Sequence, residues 1–512
     1  MPLRKRKEIQ KVLRRSTLIR RGVVAVIIGF WAVMMVGLAY REGYLPFLGG
    51  PRRAPAPRST KPSDTWMGIY TAGGARVGFV NTTTFPDSRQ NTVGITTNIT
   101  SQLDVTLLSM PMKISITGSA FLPMEKGIAN FNFQVRSGDH TMRVAGAVKD
   151  GMLDASVFTA GEEIPLRFPV GDDLFIAGGM GSATLNVPAL RVGEEVLVDT
   201  FDPMTLSSGK ARVKCVDEEV LEILGERVRT KVIVTNIQGL TSKAWVTDDE
   251  EVVRAETPLG LYLEKIAPEE ALMSAKSEGA PAARQAGIDL IQSVAVKPSG
   301  KTPHRGATRM TVRLTSAGPQ RPQSDDVQTV EGEQITIAAT AEPAGPVAVP
   351  EGMDEFLVSD ALIQAGHPRI KEMAAQIVAG ETDVWRKARK IHDWVFQNIE
   401  KVPVFSIPSA LETLETREGD CNEHAVLYTA LARAAGVPAR VACGLVWSDE
   451  LEGFYYHAWP EVWAGKWVWV DPTFGQPIAD ATHIKLISGS IEQWTQLAAY
   501  IGQLQLEVIA VE

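Results

Sequence analysis

Three residues in the C-terminal part of the chain have the types that acyl transfer through sulfur requires: Cys421, His457 and Asp471. A thiol becomes a nucleophile when ionised, an imidazole moves its proton, and a carboxylate holds that imidazole in its working tautomer. Cys421 stands in Arg417-Glu-Gly-Asp-Cys-Asn-Glu-His, His457 in Phe454–Trp463, and Asp471 directly before Pro472. Cys215 and Cys443 are the other two cysteines. Each lies in a strand-like pattern and reads as a buried core residue. A Cys421–Cys443 disulfide would block catalysis.

The elements that must position these groups follow from the spacing of apolar residues. Ala425, Leu427, Ala430, Leu431 and Ala434 predict a helix that Gly436 and Pro438 end. Asp420 is an N-cap, and Glu423 completes a capping box, so Cys421 falls at the first helical position. A free thiol with a pKa near 8.5 is about 3% ionised at pH 7, and the positive end of a helix favours the thiolate. Past the helix the period becomes two. Arg440–Trp447, Phe454–Trp463 and Lys466–Val470 are predicted strands, with Ala464-Gly465 turning the last two against each other. Adjacent antiparallel strands bring an aspartate beside a histidine, and the helix packs the cysteine against both. His424, at i+3 from Cys421, is the rival base. Glu461 is the rival orienter, on the same strand as His457. Trp459, Trp463, Trp467 and Trp469 predict a packed aromatic face, one of which can wall the cleft.

Gly419-Asp-Cys, Ala430-Leu-Ala-Arg-Ala-Ala-Gly-Val-Pro-Ala-Arg, His457-Ala-Trp and Trp469-Val-Asp-Pro-Thr together resemble the bacterial transglutaminase-like superfamily. The resemblance extends over roughly 370–475. It implies a papain-like α+β core, with Cys421 as nucleophile, His457 as general base and acid, and Asp471 as orienter. Family members include acyltransferases, peptidases and amidases, so the resemblance names acyl transfer through a thioester and leaves the acceptor open. The backbone N–H of Cys421 is the expected oxyanion donor. No cofactor or metal is implied, and no calcium-loop spacing of carboxylates occurs in this region.

Upstream, helical spacing is predicted over Leu357, Ala361 and Leu362, then over Ile370, Met373, Ala374 and Ile377. A further helix, Val384–Glu400, sets Ala388, Ile391, Val395 and Ile399 on one face. Residues 65–270 read as a β-rich accessory domain, with alternation at Val77–Thr84, Asn130–Val135, Thr141–Val148, Glu195–Asp199 and Lys231–Ile237. Lys243–Val246 and Val252–Glu256 form a candidate hairpin. The pattern resembles periplasmic half-barrel β domains, without a residue-level motif that carries a function over. His140 and the sequon asparagines Asn81 and Asn98 read as ordinary strand residues. Residues 271–352 are a Pro/Gly-rich connector or small β module, with strand-like Ala307–Thr315 and Gln334–Ala341. The remainder, 353–512, is the transglutaminase-like domain.

The chain of 512 residues suggests roughly three globular units. Its 45% apolar and 22% charged residues exclude a wholly disordered chain and a polytopic membrane protein, and three cysteines exclude a disulfide scaffold. Residues 1–21 form a basic tail with nine Lys/Arg against one Glu, whereas the whole chain carries −8. The acidic body argues against nucleic-acid binding. Gly22–Tyr40 has nineteen uncharged residues, about 28 Å as a helix, and reads as a transmembrane anchor with its basic side in the cytoplasm. Residues 41–64 form a Pro-rich linker. The expected class is therefore α+β with an N-terminal transmembrane helix. The expected place is the inner membrane, single-pass through residues 22–40 in the lipid bilayer, with the body in the periplasm or outside. The function expected is a membrane-anchored thiol enzyme cleaving or transferring amide bonds of a peptide or protein substrate. The alternative is a non-catalytic binding or assembly protein on the same scaffold. Oligomeric state is left open.

Overall fold

The computed structural model describes residues 52–53, 61–273 and 295–512, apart from 72, 90–91, 108–109, 125–127, 139, 160–161, 172–173, 177–189, 204–205, 238–239, 258–259, 317–320, 405–407, 490–499 and 501–503. From Ser63 to Lys265 nearly every element is a strand, and all of them belong to a single 16-stranded sheet. One antiparallel meander runs from Ser63–Tyr70 to Glu162–Pro169, a second from Glu195–Asp202 to Tyr262–Lys265. They join where Tyr262–Lys265 pairs antiparallel with Ser63–Tyr70. The period-two burial expected of a sheet with one covered face is plain in Leu153, Ala155 and Val157, and in Met142 and Val144. The Leu240–Val246 and Val252–Glu256 strands pair as an antiparallel hairpin. Asn81 sits in a strand and donates to Asp64 Oδ1 at 2.6 Å. His140, at the start of another strand, comes within 3.2 Å of Glu412, so this sheet touches the C-terminal region.

Strands Arg309–Ser316 and Gln334–Ala338 enter a second, five-stranded sheet, ordered Ser299–Gly300, Gln505–Val511, Arg309–Ser316, Gln334–Ala338 and Gln328–Glu331. The end of the chain thus lies between strands that precede the helices. Those helices are Pro368–Val378, Val384–Asn398, Ala410–Thr416 and Cys421–Ala434. Ala388, Ile391, Val395 and Ile399 are buried, as their spacing demands. The helix expected over 357–362 is replaced by a 3-10 turn at Asp354–Phe356 and an irregular stretch; Asp360 caps this stretch locally through the N–H groups of Leu362 and Ile363.

The fold class needs correction. Strands dominate the described residues, and no helix among them is long and apolar enough to cross a membrane. The longest, Val384–Asn398, has 15 residues and carries Arg386, Lys387, Arg389, Lys390 and Asp393, whereas a span needs about 20 mostly apolar residues. Residues 22–40, the basis of the transmembrane-helix expectation, lie outside the described residues. The single-pass, inner-membrane placement built on that helix is corrected with it.

Candidate active site

The Cys421–Ala434 helix begins as the sequence demands. Asp420 is extended, its side chain accepts from the Asn422 N–H at 2.8 Å, and Glu423 Oε2 accepts the Asp420 N–H at 2.9 Å. This capping box places Cys421 at the first helical residue, partly exposed, while the rest of the helix from Glu423 to Arg433 is buried. The Ala458 backbone N–H, next to His457, donates toward the Cys421 thiol. The Cys421–Ala434 helix therefore packs its first turn against the histidine strand.

Four antiparallel strands support that strand, in the order Trp467–Trp469, Gly453–Trp463, Ala439–Ser448 and His483–Gly489. His457 is opposite Gly444, and His483 is opposite Val446 on the other side of the same central strand. Gly444 and Val446 are two residues apart, so both histidines project from one face of the sheet. Gly444 is required where it stands. A Cβ there would lie 2.0 Å from the Ile484 carbonyl oxygen, so only glycine permits this approach of the His483 strand.

Asp471 follows the Trp467–Trp469 strand and is fully buried. Its Oδ2 accepts from His457 Nε2 at 2.9 Å and from His483 Nε2 at 3.0 Å. Its Oδ1 accepts the Thr473 and Phe474 backbone N–H groups at 2.8 and 3.1 Å. The His392 ring approaches the Asp471 carbonyl oxygen at 3.3 Å. Burial by itself pushes Asp471 up; the His457 and His483 imidazoles outweigh it and hold the carboxyl well below the usual carboxylate range. His457, bound through Nε2, turns its other nitrogen away from the aspartate. Trp459 stacks on its ring at 6.1 Å between centroids, and Phe474 lies at 4.9 Å and remains exposed. One wall of the site is a buried indole, and the other is an aromatic side chain open to solvent.

The expected lowering of the Cys421 thiol by its helix end is reversed. Burial pushes the thiol well up, and the negative charges of Asp420, Glu423 and Asp471 add to this, against the Ala458 N–H. Its surroundings thus favour the thiol over the thiolate. His424 is buried; its Nδ1 is 2.7 Å from the Asp420 carbonyl, its Nε2 has no hydrogen-bond partner, and burial lowers its basicity. Glu461 is also fully buried, but its carboxylate is bound by Arg440 and Lys485, each at 2.5 Å. Cys443 is buried and pushed up to about 12 by that burial and by Glu461. All three cysteines are unbridged. Trp459 and Trp469 form a buried tilted pair, 5.4 Å apart, and Trp463 meets Trp467 edge-on.

His483 is the residue that sequence reasoning missed. It follows Asp480-Ala-Thr in a stretch with no nucleophile, and its only signal is a histidine in an apolar strand. His457, Asp471 and His483 bring their ligand atoms within 4.8 Å of one another, which is close enough for a shared metal ion. Their arrangement fits hydrogen bonds better. Both Nε2 atoms converge on one oxygen at hydrogen-bond length, whereas zinc would require unprotonated nitrogens at about 2.0–2.1 Å from the ion.

Among solved structures, the chain is similar to a candidate cysteine protease from Cytophaga hutchinsonii, at 16% identity over 43% of this chain and 85% of that one, with a TM-score of 0.26. It is similar to a β-barrel-like domain of unknown function from Brucella abortus, at 9% identity over 42% and 95%, TM-score 0.28. It is also similar to the periplasmic domain of TgpA from Pseudomonas aeruginosa, bound there to ethylmercury, at 16% identity over 34% and 91%, TM-score 0.21. None of the curated proteins compared matches the chain. The family model of the transglutaminase-like superfamily matches residues 371–472, a stretch that takes in Cys421, His457 and Asp471 and stops short of His483. The C-terminal part of this chain carries a transglutaminase-like superfamily domain.

Proposed function

We propose that this domain is a thiol enzyme that cleaves or transfers amide bonds of peptides or proteins through a cysteinyl thioester. The observation that carries the reading is the 2.9 Å bond from His457 Nε2 to the buried Asp471, with the Cys421 thiol held against the next residue of the same strand. Asp471 fixes the tautomer that carries hydrogen on Nε2, so Nδ1 is left as the base. His457 Nδ1 takes the thiol proton as sulfur attacks the substrate carbonyl, and the imidazolium then stabilises a thiolate that burial alone disfavours. The tetrahedral oxyanion is met by backbone N–H groups at the helix start. Its collapse breaks the C–N bond, and the departing amine takes the proton from His457. Water or a second amine then attacks the thioester, its proton passing to His457, and the thiol returns. Hydrolysis requires no second binding site and is the default outcome.

Exposed Phe474 beside His457, with the Arg305 guanidinium 4.4 Å from its ring, supports a substrate chain running over this edge. The test is single-turnover reaction with an activated ester, followed by mass spectrometry. The acyl group should be found on Cys421 and be released by hydroxylamine. A folded protein that never acylates at Cys421 would instead be a binding scaffold.

A further inference from the structure

His483 has no role in the acyl transfer just described, yet its surroundings are the most constrained in the site. The ring is fully buried. Nε2 lies 3.0 Å from Asp471 Oδ2; Nδ1 lies 3.0 Å from the Asp480 carbonyl oxygen, with Asp480 Oδ1 at 3.4 Å. Neither bonded atom can donate. A carbonyl oxygen carries no hydrogen, and the Asp471 carboxylate already receives His457 and two backbone N–H groups. A neutral imidazole has one N–H and one lone pair, so either tautomer would set a lone pair against an oxygen lone pair in a buried place. Only the imidazolium donates from both sides.

The neighbouring charges agree. From the segment before the Arg309–Ser316 strand, Arg305 faces Asp480 at 3.5 Å, and Gly306 N–H donates to the same carboxylate. From the histidine strand come His457 and the edge of Trp459. From the Val384–Asn398 helix, His392 approaches the Asp471 carbonyl with Nε2, and its Nδ1 lies 2.9 Å from the Asp393 carboxylate. Lys485, on the His483 strand itself, is engaged by Glu461 and Asp325. Arg305 therefore balances Asp480, and the positive charge left to balance Asp471 is that of His483. Burial opposes that charge, but Asp471 and Asp480 outweigh it and raise the imidazole.

We infer that His483 is a buried imidazolium and a positioning residue: it fixes the Asp471 carboxylate and cancels its charge, limiting how strongly that aspartate holds the proton of His457. The inference rests on the acyl-transfer reading of Cys421, His457 and Asp471. In the usual triad the aspartate stabilises the imidazolium with an uncompensated charge. Here a countercharge shares its oxygen, with the two imidazole centroids 5.8 Å apart. At an effective dielectric near 20, a unit charge at that range moves a neighbour's titration by about two pH units.

Two measurements on the full chain test this. His483→Gln keeps an N–H for Asp471 and removes the charge. Its kcat/KM profile with an activated ester should have its acid limb, where protonation removes the base, moved upward by about one to two pH units. A folded variant whose limbs coincide with wild type, at whatever overall rate, overturns the inference. Independently, histidine ring nitrogens of the ¹⁵N-labelled wild-type protein should include one imidazolium that stays doubly protonated from pH 5.5 to 8.5. Absence of such a ring overturns it even if the variant fails to fold. A wild-type protein that shows this ring and yet never acylates would defeat the acyl-transfer reading and, with it, the claimed effect on His457, leaving only the buried cation.

Discussion

His457 and His483 donate to the same oxygen, Asp471 Oδ2, at 2.9 and 3.0 Å, from strands that lie on opposite sides of Ala439–Ser448. One carboxylate thus ties together three elements of the sheet. Its other oxygen is tied down by two backbone N–H groups, so it cannot turn without breaking several bonds. An imidazole oriented in this way is held in place before any ligand arrives.

The first expectation concerns the thiols. Cys421 is partly exposed, whereas Cys215 and Cys443 are buried, at 0% and 4% exposure. Iodoacetamide should modify Cys421 first, at least about tenfold faster than the others, as mapped by peptide mass spectrometry. Faster labelling of Cys443 would remove Cys421 from its assigned role.

A second expectation separates base from orienter. His457→Ala should reduce single-turnover acylation to near background, because both the base and the cation beside the thiolate are gone. Asp471→Asn offers an amide that favours the wrong tautomer; the comparable loss in a serine triad is about 10⁴-fold, and a thiol site should lose about 10–10³-fold. His424→Ala should keep most activity. A folded His424→Ala protein that is inert, alongside an active His457→Ala protein, would move the base to the helix.

Stability should depend on pH through the same carboxylate. Asp471 is held below its unfolded value, so its contribution is present above about pH 4 and is lost as pH falls through the native value. His483 is raised, so its contribution is full below about pH 6.5 and is lost as pH rises through the native value. Thermal melts should therefore decline on both sides, and His483→Gln should flatten the alkaline decline. An unchanged alkaline slope in the variant would contradict this.

Gly444→Ala should be costly for a methyl group. The new Cβ would meet the Ile484 carbonyl at 2.0 Å, a backbone atom that cannot rotate away. Overpacking of this kind costs about 1–3 kcal/mol, occasionally more. Urea denaturation should show it, together with loss of acylation as the His483 strand is forced off. A variant with wild-type stability would mean that the strands are free to separate.

Glu461→Gln serves as the contrast. Glu461 is bound by Arg440 and Lys485, and removing one partner of a buried ion pair costs about 3–5 kcal/mol. Denaturation midpoints should drop, while the pH limbs of the folded variant stay in place. A moved limb would show that Glu461 acts on His457 after all.

The helix carrying Cys421 was legible because its determinants are local: Asp420 and Glu423 close a capping box within three residues, and Gly436 with Pro438 ends the run. The strands carrying His457 and the pairing across Ala464-Gly465 were legible for the same reason, alternation and a short turn. The His457–Asp471 bond could be anticipated from adjacent strands. The helix over 357–362 could not be separated from an irregular stretch, since apolar spacing alone does not reveal the turn that Asp360 imposes. His483 was invisible because it reaches Asp471 only through a third strand, whose close approach Gly444 of the central strand permits. The direction of the Cys421 shift was misjudged in part likewise: burial, which tertiary packing decides, raises the thiol first, the neighbouring Asp420 and Glu423 charges add to it, and Asp471 adds to it from 50 residues away. Neighbours along the chain set caps, turns and periods, and only tertiary packing decides which charges share an oxygen.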